Sequence, residues 1–271
     1  MAESVDLYNN AYGHYASAAE AAVRQETYGV DIGQSSWMTA GEWLHFADLL
    51  QAREGCEVLE VGSGSGGPAI CLAEARRCRV TGVDINELGV ANATRLAEAR
   101  GIADQVRFQT VDANSALPFL PATFDAVVSN DAMCHIGNRL GALRDWYRVL
   151  RPGGRILFTD ALVVTGLVSH DEVAARSAIG FYLFAPPGEN ERLLAQAGFT
   201  LLQVDDLTAS AAVIAQRRHD ARERYREQLV EQEGEVTFSG VQHFLRCVHL
   251  LANERRLSRY CYLAEKAADA G

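Results

Sequence analysis

From Glu57 onward the sequence predicts an α/β fold, a parallel sheet wrapped by helices, and three observations carry that expectation. Compact apolar runs alternate with helical stretches. A burst of glycines follows the first run, in "EVLEVGSGSGGPAICLAE". Four of the five runs end on an acidic residue or Asn, where ligands gather at the carboxyl ends of parallel strands.

The five runs are "EVLEVG" (57 to 62), "RVTGVD" (79 to 84), "VRFQTVD" (106 to 112), "FDAVVSN" (124 to 130) and "GRILFTD" (154 to 160). Glycine after the first permits a tight strand-to-helix turn and close approach of a ligand to backbone. "NELGVANATRLAEARG" and "NRLGALRDWYRVLRPGG" have the spacing of amphipathic helices, and Arg151-Pro152-Gly153-Gly154 is expected to stop the second. After Asp160 the alternation lapses into a cap, followed by a helix ending at Gly198. "TLLQVDDLT" then gives a sixth strand, 209 to 255 are largely helical, and "RLSRYCYLAEK" is a final strand. The first fifty residues combine helical spacing with Tyr8, Tyr12, Tyr15, Tyr28, Trp37, Trp43 and Phe46. The expected organisation is one domain: an N-terminal helical lid (1–54), a ligand-binding core (55–165), a cap (166–198) and a C-terminal completion of the sheet with helices (199–271).

A chain of 271 residues, 48% hydrophobic, can bury a full core. Acidic residues outnumber basic ones 35 to 25, and a net charge of −10 disfavours nucleic acid as a partner. The charged run "RRHDARERYREQLVEQEGE" mixes both signs, as a solvated helix face does. The six cysteines lack a C-x-x-C pair, so reduced thiols in a cytoplasmic protein and no metal site are expected. Neither a signal peptide nor a run of about 18 apolar residues occurs, which leaves no reason to expect a membrane. A monomer or homodimer is expected.

Gly62, Gly64 and Gly67 satisfy G-x-G-x-x-G, and Asp84 follows at the distance of a ribose-binding acid. An NAD-dependent oxidoreductase is therefore one alternative, and a module that binds a cofactor without catalysis is another. Glu60, two residues before the first glycine, puts a carboxylate at the mouth of the loop. That is an awkward neighbour for a pyrophosphate and a good one for a cation. Asp112 adds a third carboxylate.

"VLEVGSGSGG", "GVDIN", "VDA", "FDAVVSNDAMCHI" and "LRPGGRILFTD", in this order and spacing, resemble the class I S-adenosylmethionine-dependent methyltransferases over roughly residues 55 to 165. The resemblance implies a Rossmann-like seven-stranded sheet with the last strand antiparallel and helices on both faces. It also implies S-adenosyl-L-methionine as cofactor and S-adenosyl-L-homocysteine as product. By the same resemblance the loop from Glu60 through Gly62, Ser63, Gly64 and Gly66 holds the methionine part. Asp84 takes both ribose hydroxyls, and Ile85 packs on the adenine. Asp112 accepts from the adenine amino group with Ala113 beside it, and Asn130 lies under the sulfonium. "YGVDIGQSSWMTAGEW" is similar to the segment preceding the sheet in phosphoethanolamine and sarcosine/dimethylglycine N-methyltransferases and in natural-product sugar O-methyltransferases. That likeness makes Tyr28, Ser35 and Ser36 cofactor-side candidates. The N-P-P-[YF] sequence of base-amino methyltransferases is missing, since position 130 begins "NDAM".

Displacement at a sulfonium releases a neutral thioether, so the protein must supply position, plus a base where the acceptor loses a proton. His135, just past the fourth strand, is the candidate base, because its ordinary pKa suits that work. Tyr15 is its candidate assistant by the family resemblance, with Tyr12 open as the alternative. An O or N acceptor needs such a base; an S or C acceptor does not. Phe181, Tyr182 and Phe184 either line the acceptor pocket or form the cap's own core.

Overall fold

The computed structural model describes residues 7–268. Three helices precede the sheet: α1 (Leu7–Gly13), α2 (Ala18–Tyr28) and α3 (Ala40–Leu49). Ser17 and Thr39 cap α2 and α3, their side-chain oxygens accepting from the backbone N–H groups of Glu20 and Glu42. The chain then alternates: β1 (Glu57–Val61), α4 (Gly67–Arg76), β2 (Arg79–Asp84), α5 (Glu87–Arg100), β3 (Val106–Thr110) and β4 (Phe124–Ser129). A single 3-10 turn, Met133–His135, leads to α6 (Arg139–Val149) and β5 (Leu150–Val164). Next come α7 (His170–Arg176), α8 (Glu189–Ala197), β6 (Thr200–Asp206), α9 (Thr208–Arg224), α10 (Arg226–Glu233), α11 (Glu235–Asn253) and β7 (Leu257–Glu265).

The strands form one seven-stranded sheet in the order β3-β2-β1-β4-β5-β7-β6, with β7 antiparallel to both neighbours. Chain direction reverses its lateral progress between β1 and β4, and a crevice opens outside the carboxyl ends of those strands. Successive residues of a strand face opposite sides, so β1 feeds two cores. Val58 packs with Trp43, Ile70 and Leu157 on one face. Leu59 and Val61 pack with Leu143, Trp146 and Phe158 on the other. Helices cover both faces, which is why β1, β2 and β4 are buried along nearly their whole length.

Three features differ from what the sequence suggested. The fifth strand does not end at Asp160 but runs on to Val164, so Asp160 is interior to it and buried. The stretch Arg151–Gly154 does not merely stop α6. It lies within β5 as a bulge, with Phe124 opposite Leu150, Ala126 opposite Arg155, and Gly153 at φ 75°. Strands three and four end at Thr110 and Ser129, so Asp112 and Asn130 sit on the loops beyond them. The six cysteines are free. No helix among the described residues is long and apolar enough to cross a membrane.

Between α7 and α8 the chain runs over the crevice and is tied to the sheet by a buried cluster. Arg139 Nη1 donates to Asp160 Oδ2 (2.6 Å) and to Asn190 Oδ1 (2.9 Å), and Nη2 donates to the Leu183 carbonyl (3.0 Å). Asp160 is fully buried, so removing its cation leaves a carboxylate with no compensating charge. Arg139→Leu is expected to destabilise by about 3–5 kcal/mol. At about 2–4 °C per kcal/mol for a chain near this size, thermal unfolding should shift down by roughly 6–20 °C. Breaking the exposed Arg192–Glu189 pair by Arg192→Ala should cost no more than ~1 kcal/mol, and differential scanning calorimetry of both variants checks the contrast.

Candidate active site

The loop between β1 and α4 turns by left-handed backbone at Gly62 (φ 80°) and Gly64 (φ 52°), which non-glycine residues rarely adopt. Space is equally restrictive. A Cβ on Gly62 would lie 2.4 Å from the Ala132 Cβ, and one on Gly64 would lie 3.0 Å from the Tyr12 hydroxyl. The loop, the ends of β2 and β4, α1 and the cap segment enclose a cavity of about 400 Å3, within the range of small-molecule sites.

Most residues singled out from the sequence come together on its wall: Ser35, Ser36, Glu60, Gly62, Ser63, Gly64, Asp84, Ile85, Asp112, Ala113, Asn130 and His135. Three others stand off it. Gly66 caps α4 behind the loop. Tyr28 is buried and donates to the Ser36 carbonyl (2.8 Å), shaping the strap that carries Ser36. Tyr15 borders a smaller adjacent cleft, where the Arg24 guanidinium lies 4.4 Å above its ring. Of the cap aromatics, Phe181 and Tyr182 line the cavity, whereas Phe184 packs beside Leu162 and Leu251.

Glu60 is 2% exposed, and its Oε2 has no hydrogen-bond partner among the described residues. Burial, with the Asp84 charge adding to it, holds its carboxyl well above the usual range. An orphaned carboxylate oxygen of this kind suits a cationic ligand. Asp84 accepts from Gly64 N–H at Oδ2 and from Asn86 N–H at Oδ1, both at 2.8 Å. Burial raises its pKa, and those backbone donors pull the other way. Asp112 is exposed and accepts from the backbone and side-chain amides of Asn114 (both 2.9 Å).

Asn130 is held on both ends of its amide. Its Nδ2 donates to Ser36 Oγ (2.6 Å), and its Oδ1 accepts from Arg259 Nη2 (3.0 Å). The next residue, Asp131, accepts from Arg259 Nε at Oδ1 (2.8 Å) and from Trp37 N–H at Oδ2 (2.9 Å). Arg259 also bonds Glu42, and it is buried. Burial alone would lower its pKa, but the carboxylates of Asp131 and Glu42 outweigh that and raise it, so the group is a fixed cation.

His135 sits between two oxygens. Nδ1 lies 2.7 Å from the Phe181 carbonyl and Nε2 lies 2.8 Å from the Tyr8 hydroxyl, with the Tyr8 ring edge-on at 5.3 Å. A carbonyl oxygen only accepts, so the network assigns the proton to Nδ1 and leaves the Nε2 lone pair facing the Tyr8 O–H. Burial lowers the His135 pKa, which keeps the ring neutral. The hydrogen bond to His135 thus belongs to Tyr8, not to Tyr12 or Tyr15. Sequence reasoning had Tyr8 only among the aromatic residues of the N-terminus. It had no signal for Arg259 or Asp131, whose roles come from partners distant in sequence.

Residues 59–158 match a family model described as a methyltransferase domain. The chain is 31% identical over 205 residues to 27-O-demethylrifamycin SV methyltransferase of Amycolatopsis mediterranei (strain S699), covering 73% of this chain and 75% of that protein. It belongs to the S-adenosylmethionine-dependent methyltransferases. S-adenosylmethionine is its cofactor. The fold is similar to phosphoethanolamine N-methyltransferase 2 of Haemonchus contortus in complex with S-adenosyl-L-methionine, with TM-score 0.80 and 21% identity over 98% of this chain and 61% of that one. It is also similar to the [4+2]-cyclase SpnF, with TM-score 0.75 and 22% identity over 97% and 96%. At such identities the likeness is one of fold, and a fold shared with a cyclase does not specify a reaction.

The cofactor is a cation, and the orphaned oxygen of Glu60 and the glycine cradle fit it. A cationic group against Glu60 favours the ionised carboxylate, so binding should release a proton. Affinity should therefore rise with pH until the raised pKa of the free protein is passed. Calorimetric titration with S-adenosylmethionine in two buffers of different ionisation enthalpy should give different apparent heats, and Glu60→Gln should abolish the difference. Equal heats for the wild type in both buffers would contradict this. Asp84→Ala in the same titration should weaken binding by about ten- to several hundred-fold, as charge-assisted hydrogen bonds are lost.

Proposed function

We propose that the protein transfers a methyl group from S-adenosylmethionine to a hydroxyl or amine of a small-molecule acceptor, with His135 as general base acting through Tyr8. The supporting observation is the chain from the Phe181 carbonyl through His135 to the Tyr8 hydroxyl on the cavity wall. A neutral ring with its basic nitrogen on a phenol can draw one proton from an acceptor. Tyr8 takes the acceptor's proton as it gives its own to Nε2, and the Phe181 carbonyl holds the imidazole in the required tautomer. Desolvation disfavours the resulting imidazolium, so the proton returns readily to solvent once the product leaves. When bound, the cofactor supplies a methyl electrophile whose leaving group is a neutral thioether, so no acid is required.

In this proposal Glu60 would hold the cofactor's ammonium and Asp84 its ribose hydroxyls. Asp112 and Ile85 would hold the adenine, and Asn130, fixed by Arg259 and Ser36, would hold the part that bears the sulfonium. The helix carrying Tyr8 and Tyr12 and the cap segment carrying Phe181 and Tyr182 act as the lid that excludes water. A hydroxyl acceptor agrees with the name of the rifamycin relative, which specifies a 27-O position on its own substrate.

His135→Ala should lower kcat by ~10²–10⁴ while leaving S-adenosylmethionine affinity nearly unchanged. Tyr8→Phe should cost less, and the double variant less than the product of the two, because the pair acts as a unit. Single-turnover kinetics with S-adenosylhomocysteine as the measured product tests both. A His135→Ala protein at wild-type rate would exclude the base and point to a sulfur or carbon acceptor positioned by shape.

A further inference from the structure

Four arginines are buried among the described residues: Arg139, Arg176, Arg222 and Arg259. Three of them face carboxylates. Arg139 pairs with Asp160, Arg222 with Glu20 and Glu233, and Arg259 with Glu42 and Asp131. Arg176, 2% exposed at the end of α7, has no such pair among the described residues, and its Nε and Nη1 have no hydrogen-bond partner there. Its guanidinium lies 4.7 Å from the Tyr182 ring centroid and 4.8 Å from that of Phe244. Two aromatic faces hold the cation in place without neutralising it, and the hydrogen bond between the guanidinium and the Tyr182 hydroxyl still leaves Nε and Nη1 unsatisfied.

Arg176 also lines the cavity. The carboxylates of Glu60, Asp84 and Asp112 gather where β1, β2 and β3 end, whereas Arg176 comes from the cap, beside Tyr182. The cavity is therefore polar in the electrostatic sense, with acids on the sheet side and an unneutralised guanidinium on the cap side. A ligand that completed the cap side would bring an oxyanion. In a protein of net charge −10, general attraction for anions is absent, so such a ligand needs a local cation of this kind.

Resting on the methyl-transfer reading of this cavity, we infer that the acceptor carries an oxyanion, a carboxylate or a phosphate, that docks on Arg176. Fork-shaped donors that cannot lose their charge suit either group. The arginine binds the acceptor away from the atom that is methylated, so it selects the substrate and leaves proton removal to Tyr8 and His135.

The test titrates S-adenosylhomocysteine-saturated protein with inorganic phosphate and, separately, with benzoate, at constant ionic strength set with sodium chloride. Wild type should bind at least one of them saturably, and the stronger of the two identifies the phosphate or the carboxylate source. Arg176→Met, which keeps the length of the stem and removes the charge, should weaken that binding by at least about tenfold while S-adenosylhomocysteine affinity stays the same. Should Arg176→Met fail to fold, Arg176→Gln makes the same comparison with a neutral polar group. Equal anion binding in wild type and the neutral variant, or no saturable binding of either anion by wild type, would overturn the inference. Methyl transfer is not read in this titration. A failed base role for His135 would leave anion binding intact, and a failed anion site would leave the His135 kinetics intact.

Discussion

The buried guanidinium of Arg259 joins parts of the chain that the sheet alone would leave independent. From β7 it reaches Glu42 on α3 and both Asn130 and Asp131 beyond β4, while Asp131 in turn accepts from Thr159 on β5 and from the backbone of Trp37. Asp131 adopts a left-handed backbone (φ 55°), which its place in this network stabilises and which turns the chain toward the Met133–His135 turn. Asn130 and His135 thus inherit their positions from an ion-paired cluster underneath them. The strap before the sheet is fixed by the same cluster, through Trp37 and the Ser36 hydroxyl.

On that base the cavity has a consistent electrostatic design. The buried Glu60, raised in pKa, sits by the glycine loop ready to ionise against a positive ligand. His135 lines the same cavity, kept neutral by burial and oriented by a carbonyl. In the proposed reaction these two shifts suit opposite tasks, one group meeting a cation and the other accepting a proton.

The sheet was legible from the sequence because burial on both faces forces compact apolar runs, and the edge that carries the candidate site stood out because Asp84, Asp112 and Asn130 end or follow those runs. The glycine loop could be read because Gly62 and Gly64 need backbone that other residues avoid. Tyr8 was not legible as the partner of His135, since 127 positions separate the two and three tyrosines in eight residues offer equivalent local patterns. Arg259 lies in a strand that reads as ordinary apolar alternation, and its meaning exists only in contacts with α3 and the loop after β4. The bulge at Arg151–Gly154 carries the Pro and Gly of a helix stop, and the same residues serve both endings, so local chemistry could not separate them.

In the proposed reaction a neutral His135, poised on Tyr8, removes the acceptor's proton. The pH dependence of kcat/KM at saturating S-adenosylmethionine, compared between wild type and His135→Gln, tests that step. Because burial lowers the His135 pKa, its basic form persists to more acidic pH than an ordinary histidine allows, and activity should fall only as pH drops through a midpoint below about 6.5. That acidic limb should be absent from the variant's residual rate. A wild-type profile flat through this range, or an acidic limb that persists unchanged in His135→Gln, would contradict the base role of His135.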